Sequence, residues 1–244
     1  TIEHPSIKTV ALDQKTGSHT GAVEENETIV DTVSCTNLTP NQEYTLKGRY
    51  VDAETGETIR DAAGKEVKAE KTFRAGIKNE VVEMAFNLDA SDLAGKTAVV
   101  LEELYLGEVK LVEHTDLADE DQTIRYPQVD TTAIDGTTGD HVAAAAADCQ
   151  IQDTVSYVNL SPEFTYRLET ILADPETGET ITDADGKQVV LQTEVNPEEQ
   201  DGKTTVTLTF NASNLQGKDA VVLEKLYEGD KLVVVHADLK DEDQ

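Results

Sequence analysis

Apolar and polar residues alternate with a period of two along much of this chain, the pattern of strands that bury one face. The clearest run is Thr204-Thr-Val-Thr-Leu-Thr-Phe210, and Val81-Val-Glu-Met-Ala-Phe86 is its counterpart earlier in the chain. Turn chemistry separates the runs at Glu54-Thr-Gly-Glu57, Ala63-Gly-Lys65, Glu176-Thr-Gly-Glu179 and Asp183-Ala-Asp-Gly-Lys187. A short helix or turn is expected at 89–95 and at 212–217, where Ser or Asp can cap and Gly ends the element. The five alanines at 143–147 look helical by composition, yet they align with Gly21-Ala-Val-Glu-Glu25 just before a strand. A loop or strand edge is expected there.

The whole pattern occurs twice, at a spacing of 122 residues. Asp31-Thr-Val-Ser-Cys-Thr-Asn-Leu38 returns as Asp153-Thr-Val-Ser-Tyr-Val-Asn-Leu160, and Ala98-Val-Val-Leu-Glu102 as Ala220-Val-Val-Leu-Glu224. His114-Thr-Asp-Leu-Ala-Asp-Glu-Asp-Gln122 returns as His236-Ala-Asp-Leu-Lys-Asp-Glu-Asp-Gln244. Short strands with regular turns predict an all-β protein: two tandem Ig-like β-sandwich domains, 1–125 and 126–244. The junction at Tyr126-Pro127 has no Gly/Ser linker, so a stiff end-to-end arrangement is expected. The chain starts and stops within the repeat register and reads as a piece of something longer.

Charge then narrows the function. Lys and Arg number 20 against 49 Asp and Glu, a formal charge of -29, which would repel phosphate backbones and argues against a nucleic-acid partner. No stretch approaches the roughly 20 apolar residues of a membrane span. With 38% hydrophobic residues, 5% aromatic and no Trp, a thin two-layer domain is favoured over an enzyme with a deep pocket. Cys35 and Cys149 fall at non-equivalent places, one per domain, so neither an intradomain disulfide nor a metal set is expected.

The repeat also singles out polar residues present in both copies. Asp31 shares strand parity with Ile29 and Val33, and Asp153 with Ile151 and Val155; Glu102 falls with Val100 and Leu104, and Glu224 with Val222 and Leu226. All four carboxylates are expected to point inward, where a charge is expensive unless two acids share a proton. His114 and His236 recur and are candidate bases, whereas His4, His19 and His141 do not recur. Thr9 and Thr131 lie on the first strand of each copy beside small Ala11 and Ala133, with Thr132 as a competitor for Thr131. The acidic run 116–121 lacks the spacing of a calcium loop and is expected to be a surface turn; Tyr44, Tyr166, Tyr105 and Tyr227 are expected to pack.

Taken together, Asp-Thr-Val-Ser, Val-Val-Leu-Glu and His-x-Asp-Leu-x-Asp-Glu-Asp-Gln resemble the Thr–Gln ester-bond domains of Gram-positive cell-surface adhesins. The resemblance covers both copies. It implies an ester cross-link from Thr9 to Gln122 and from Thr131 to Gln244, each made once by the domain itself with release of ammonia. Asp31, Glu102 and His114 would promote the first, and Asp153, Glu224 and His236 the second. In that family the His takes the Thr proton, and the protonated acid pair stabilises the oxyanion. No cofactor or metal is implied, and no turnover. The implied setting is a stalk on the cell wall, with neighbouring repeats as partners and a host ligand bound elsewhere in the full-length protein. The rivals are a calcium-dependent ligand-binding module, a Lys–Asn isopeptide domain (weak, since Lys8 aligns with Asp130) and a hydrolase with a Thr nucleophile.

Overall fold

A computed structural model describes residues 2–240. The chain divides into two compact units, Thr1–Tyr126 and Pro127–Gln244, so Tyr126 belongs with the first. Its ring is fully buried there, and its hydroxyl lies 3.0 Å from that of Tyr50.

In the first unit the strands are β1 (Ser6–Asp13), β2 (Glu27–Thr36), β3 (Glu43–Asp52), β4 (Lys68–Arg74), β5 (Glu80–Leu88), β6 (Thr97–Leu106), β7 (Val109–His114) and β8 (Thr123–Arg125). A single 3-10 turn, Glu120–Gln122, leads directly into β8. One sheet runs β1-β2-β5; the other runs β4-β3-β6-β7, with β8 also paired to β6. The second unit repeats this plan with β9 (Gln128–Asp135), β10 (Cys149–Val158), β11 (Tyr166–Ala173), β12 (Val190–Val195), β13 (Gly202–Phe210), β14 (Val221–Glu228) and β15 (Lys231–His236). Its sheets are β13-β10-β9 and β12-β11-β14-β15, and all the pairings are antiparallel. The regular elements described are thus strands, as the alternation predicts.

Burial follows the period of two. On β2, Glu27, Ile29, Asp31, Val33 and Cys35 are buried while the residues between them are part-exposed. The inward faces of the two sheets meet over Ile29, Val33, Leu46, Tyr50, Phe86 and Leu104. Each such side chain contributes about 1.5–3 kcal/mol when removed from water. Gly48 on β3 faces this layer; a Cβ there would stand 2.5 Å from the Phe86 ring.

Several smaller expectations resolve here. Segments 89–95 and 212–217 form turns, and 143–147 is an exposed loop. Thr132 is exposed and Thr131 buried, which removes Thr132 as a competitor. Tyr44 and Tyr166 do more than pack, because their hydroxyls accept hydrogen bonds from Thr39 N and Ser161 N, both at 2.9 Å. Both cysteines are free and buried.

Candidate functional site

Asp31 lies at the centre of β2, the middle strand of its sheet, and Glu102 lies on β6, an inner strand of the other. Because both face inward, the two carboxyls come from opposite layers into one core, and both are fully buried. Thr9 reaches the same point from β1. There it is two register positions from Ala11, the cross-strand partner of Asp31, and so on the same face. Gln122 closes the group from the 3-10 turn and is also fully buried.

The hydrogen bonds define a tight constellation. The Thr9 hydroxyl donates to Asp31 Oδ1. Gln122 Nε2 donates to Thr9 Oγ1 at 3.0 Å and reaches Asp31 Oδ1 at 3.4 Å. One carboxylate oxygen therefore touches both the hydroxyl oxygen and the amide nitrogen. Gln122 Oε1 is buried without a protein partner, as are Asp31 Oδ2 and both Glu102 oxygens when the acids are counted as acceptors only. That accounting changes once one acid carries a proton. Burial pushes the Glu102 carboxyl up to about 11, with the charge of Asp31 and a hydrogen bond to it adding to the effect. Burial raises Asp31 as well, but Glu102, Thr9 and Gln122 all donate to its carboxylate, and His114 attracts it electrostatically. Burial and mutual repulsion favour one proton shared by the two carboxyls, with Glu102 the more strongly raised, so that the pair holds one negative charge rather than two.

His114 ends β7 directly across from Glu102 on β6. Its Nε2 lies 2.7 Å from Asp119 Oδ2, and its side chain is about a quarter exposed. The Thr9 proton, which the resemblance assigns to His114, is instead directed at Asp31, and a hydroxyl has a single proton to give. Asp119 lies in the recurring acidic run, where the sequence predicts a surface turn and not part of the site. It is both: its Oδ1 accepts from Asp121 N and so caps the turn that carries Gln122, while Oδ2 holds the His. Asp116 likewise accepts from Ala118 N.

The second unit reproduces what is described of it. Thr131 donates to Asp153 Oδ1, and both are buried. Burial pushes Glu224 up to about 10, with a hydrogen bond to Asp153 and its charge adding. Glu224 faces His236 across β14 and β15. Gln244 lies outside the described residues. A second buried acid pair, with no like pair at the equivalent described positions of the second unit, is not marked by the duplication. Asp13 accepts from Thr16 N at 2.6 Å and from Ala22 N at 3.0 Å. Glu27, which shares the inward parity of Asp31 on β2, is raised to about 10 by burial and by its hydrogen bond to Asp13. The parity of Glu27 was the available signal; its replacement by Cys149 in the second copy hid it.

What the site can do chemically is join its own ends. A nucleophilic hydroxyl, an amide with a leaving nitrogen, a proton acceptor touching both and a neutral acid are shut away from water together. The family model for the T-Q ester bond containing domain matches residues 5–126 and again 127–244. No curated protein sequence matches the chain. Among solved structures, the chain is similar to a bacterial adhesin from Mobiluncus mulieris containing intramolecular disulfide, isopeptide and ester bond cross-links. The TM-score is 0.47 at 16% identity, over 93% of this chain and 81% of that one. A second crystal form of that adhesin gives a TM-score of 0.45 at 15% identity, with the same coverage. A glycosyl hydrolase family 2 member from Bacteroides cellulosilyticus gives 0.34 at 10% identity, over 91% of this chain and 27% of the hydrolase.

Proposed function

The chain belongs to the T-Q ester bond domain family in two tandem copies, and from that premise we propose that each unit forms its own Thr–Gln ester: Thr9 to Gln122, and Thr131 to Gln244. The single observation that carries the reading is Thr9 Oγ1 placed 3.0 Å from Gln122 Nε2, with Asp31 Oδ1 bonded to both. Thr9 Oγ attacks Cδ of Gln122, and its proton passes to Asp31. Once Asp31 has taken that proton its carboxylate no longer needs the Glu102 O–H, which is free to turn to the oxyanion growing on Gln122 Oε1, an atom with no other protein partner. Asp31 then hands the proton to Nε2, the C–N bond breaks, and ammonia leaves. Hydroxyl plus amide become ester plus ammonia, with no cofactor and no external reactant. His114, held by Asp119 and partly open to solvent, favours the charged form of Asp31 electrostatically. Each site acts once on its own chain, so this is self-processing without turnover.

The wider role is a stalk segment of a cell-surface adhesin on the wall of a Gram-positive bacterium, with the host ligand bound by another part of the protein. The family and the tandem arrangement support this. The ester ties the first strand of a unit to the turn before its last, so an end-to-end pull passes through a covalent bond.

Intact mass tests the chemistry. The expected mass is below the sequence value by one ammonia for each ester formed, and Thr9→Ala should restore one of them. A wild-type mass equal to the sequence value would sink the reading. Asp119→Ala, which frees His114 without touching the reacting atoms, should slow formation of the first ester about 10-fold. That is less than the roughly 10²–10⁴-fold attached to a proton-transfer group itself. Asp31→Asn should stop it. Time courses of ammonia release from freshly refolded protein separate the two, and an unchanged rate in Asp119→Ala would remove His114 positioning from the mechanism.

A further inference from the structure

Two recurring features take no part in the proposed chemistry. One is the Thr-Gly turn at the end of β3, 52–57, which returns after β11 as 174–179. The other is the Leu of the His-x-Asp-Leu motif, Leu117 and Leu239. Both turns are built alike. Asp52 Oδ1 accepts from Glu54 N at 3.0 Å and Thr55 N at 2.9 Å, and Asp174 Oδ1 from Glu176 N at 2.8 Å and Thr177 N at 3.1 Å. Gly56 N donates to Asp52 O at 2.9 Å and Gly178 N to Asp174 O at 2.8 Å. Each glycine sits in the left-handed region, at φ 70° and 71°. In the first unit Ala53 N also donates to Thr97 O at 3.0 Å, which ties the turn to the start of β6.

The two features meet in space. A Cβ on Gly56 would stand 3.3 Å from Leu117 Cδ1 and 4.0 Å from Cδ2, and one on Gly178 3.5 Å and 3.8 Å from those of Leu239. Turn glycines with the same backbone, such as Gly64, Gly107, Gly186 and Gly229, face open space at that point. In both units, then, the end of the leucine lies on the bare face of the glycine. Leu117 is 36% exposed, so most of it is covered although it stands in a loop between β7 and the 3-10 turn. The chain that follows is short and hydrogen-bonded. Asp119 N donates to Asp116 O at 3.3 Å, Gln122 N to Asp119 O at 3.1 Å, and Thr123 Oγ1 to Asp119 O at 2.7 Å. A shift at Leu117 is thereby carried to Asp119, which holds His114, and to Gln122.

We propose that Leu117 and Leu239 are positioning residues for the cross-linking step, each seating the loop that leads to its Gln on the bare glycine of the Thr-Gly turn. Their role rests on the ester reading. Until the ester forms, Gln122 is held at Thr9 by hydrogen bonds and packing alone. Attack needs Thr9 Oγ1 aligned with Cδ of Gln122, and a misplacement of about 1 Å can cost roughly 100-fold in rate. The leucine acts through the loop, not on the reacting atoms. An apolar contact suits the task. Loop and turn both carry acids, Asp116 and Asp119 on one and Glu54 and Glu57 on the other, so charge alone would push them apart. Glycine is needed beneath the leucine for two reasons: other residues seldom adopt that φ, and a side chain there would press the loop away.

The test follows ammonia release in chains purified unfolded and then refolded, with peptide mass assigning each loss to its unit. Leu117→Ala should slow the first ester about 10-fold and leave the second unit as it was, while Leu117→Met, which refills the space, should stay within about 2-fold of wild type. Gly56→Ala should slow the first ester more when Leu117 is present than in the Leu117→Ala chain. Its backbone strain is common to both backgrounds, and its pressure on the leucine is not. The same substitutions in Thr9→Ala, which cannot form the first ester, give the folded fraction by urea titration. A slower ester in a chain that is still folded supports positioning. A slowdown matched by a lost folded fraction is a structural role only and overturns the proposal. Wild-type ammonia release with an unchanged rate in Leu117→Ala overturns the seat and leaves the ester standing. No release from wild type removes the ester and the seat's role together. Equal effects of Gly56→Ala in both backgrounds would overturn the part given to the glycine.

Discussion

Thr9→Ala should lower the melting temperature of the first unit by about 15–25 °C and make that unit extensible under load. The ester joins residues 113 positions apart in the chain. Closing a loop of about 100 residues removes roughly 4.7 kcal/mol of chain entropy from the unfolded state. For a domain of this size each kcal/mol moves the transition by about 4 °C. In single-molecule pulling, the wild-type unit should yield only the residues outside the loop. Thr9→Ala should release most of the span from β1 to Gln122, a step of roughly 350 Å at about 3.3 Å per residue. The alanine removes one buried hydroxyl and its bond to Asp31, worth about 1–2 kcal/mol at most, so the larger share of the shift belongs to the cross-link. Thr9→Ser, which keeps a hydroxyl, should recover the wild-type behaviour. A Thr9→Ala step no longer than wild type, at similar force, would end the mechanical reading even with the ester present by mass.

The second large effect is a stability that falls with pH once the ester is gone. Glu102 is raised from 4.5 to about 11 and Glu27 from 4.5 to about 10 in the folded first unit. Between those limits the folded chain holds protons that the unfolded chain has released. Stability is then greatest below the unfolded value and drops as pH rises toward the folded one. The slope is up to about 1.4 kcal/mol per pH unit for each proton so held. Urea denaturation of Thr9→Ala between pH 5 and pH 8 should therefore show the higher stability at pH 5. Adding Glu102→Gln should reduce the slope by about half, and adding Glu27→Gln as well should remove most of the remainder. The net charge of -29 also disfavours the compact state as pH rises. A slope untouched by both replacements would mean that this diffuse repulsion, not the buried acids, sets the pH dependence.

The amino-acid sequence by itself determined the strand class, the duplication and the inward side of each strand. A period of two needs no partner to be read: Asp31 between Ile29 and Val33, or Glu102 between Val100 and Leu104, has to face where its apolar neighbours face. Thr132 aligns with Val10, which leaves it a competitor in the sequence; its exposure in the fold set Thr131 ahead of it. Duplication then narrowed the field to acids, histidines and threonines present in both copies, and the His…Gln motif pointed to the family. It also misled, because Glu27 aligns with Cys149 and so is not marked by the duplication. Only the tertiary structure decided which inward groups meet. Whether Asp31 on β2 reaches Glu102 on β6 depends on how two sheets stack, and whether Thr9 bonds Asp31 or His114 depends on the register of β1 against β2. The same holds for Asp119. Its place in the sequence suggested a solvated turn, and its hydrogen bond to His114 exists because β7 ends where the 3-10 turn folds back. Strand parity is a local property of the backbone, while contact between strands far apart in sequence is settled by pairing and packing, which no local pattern encodes.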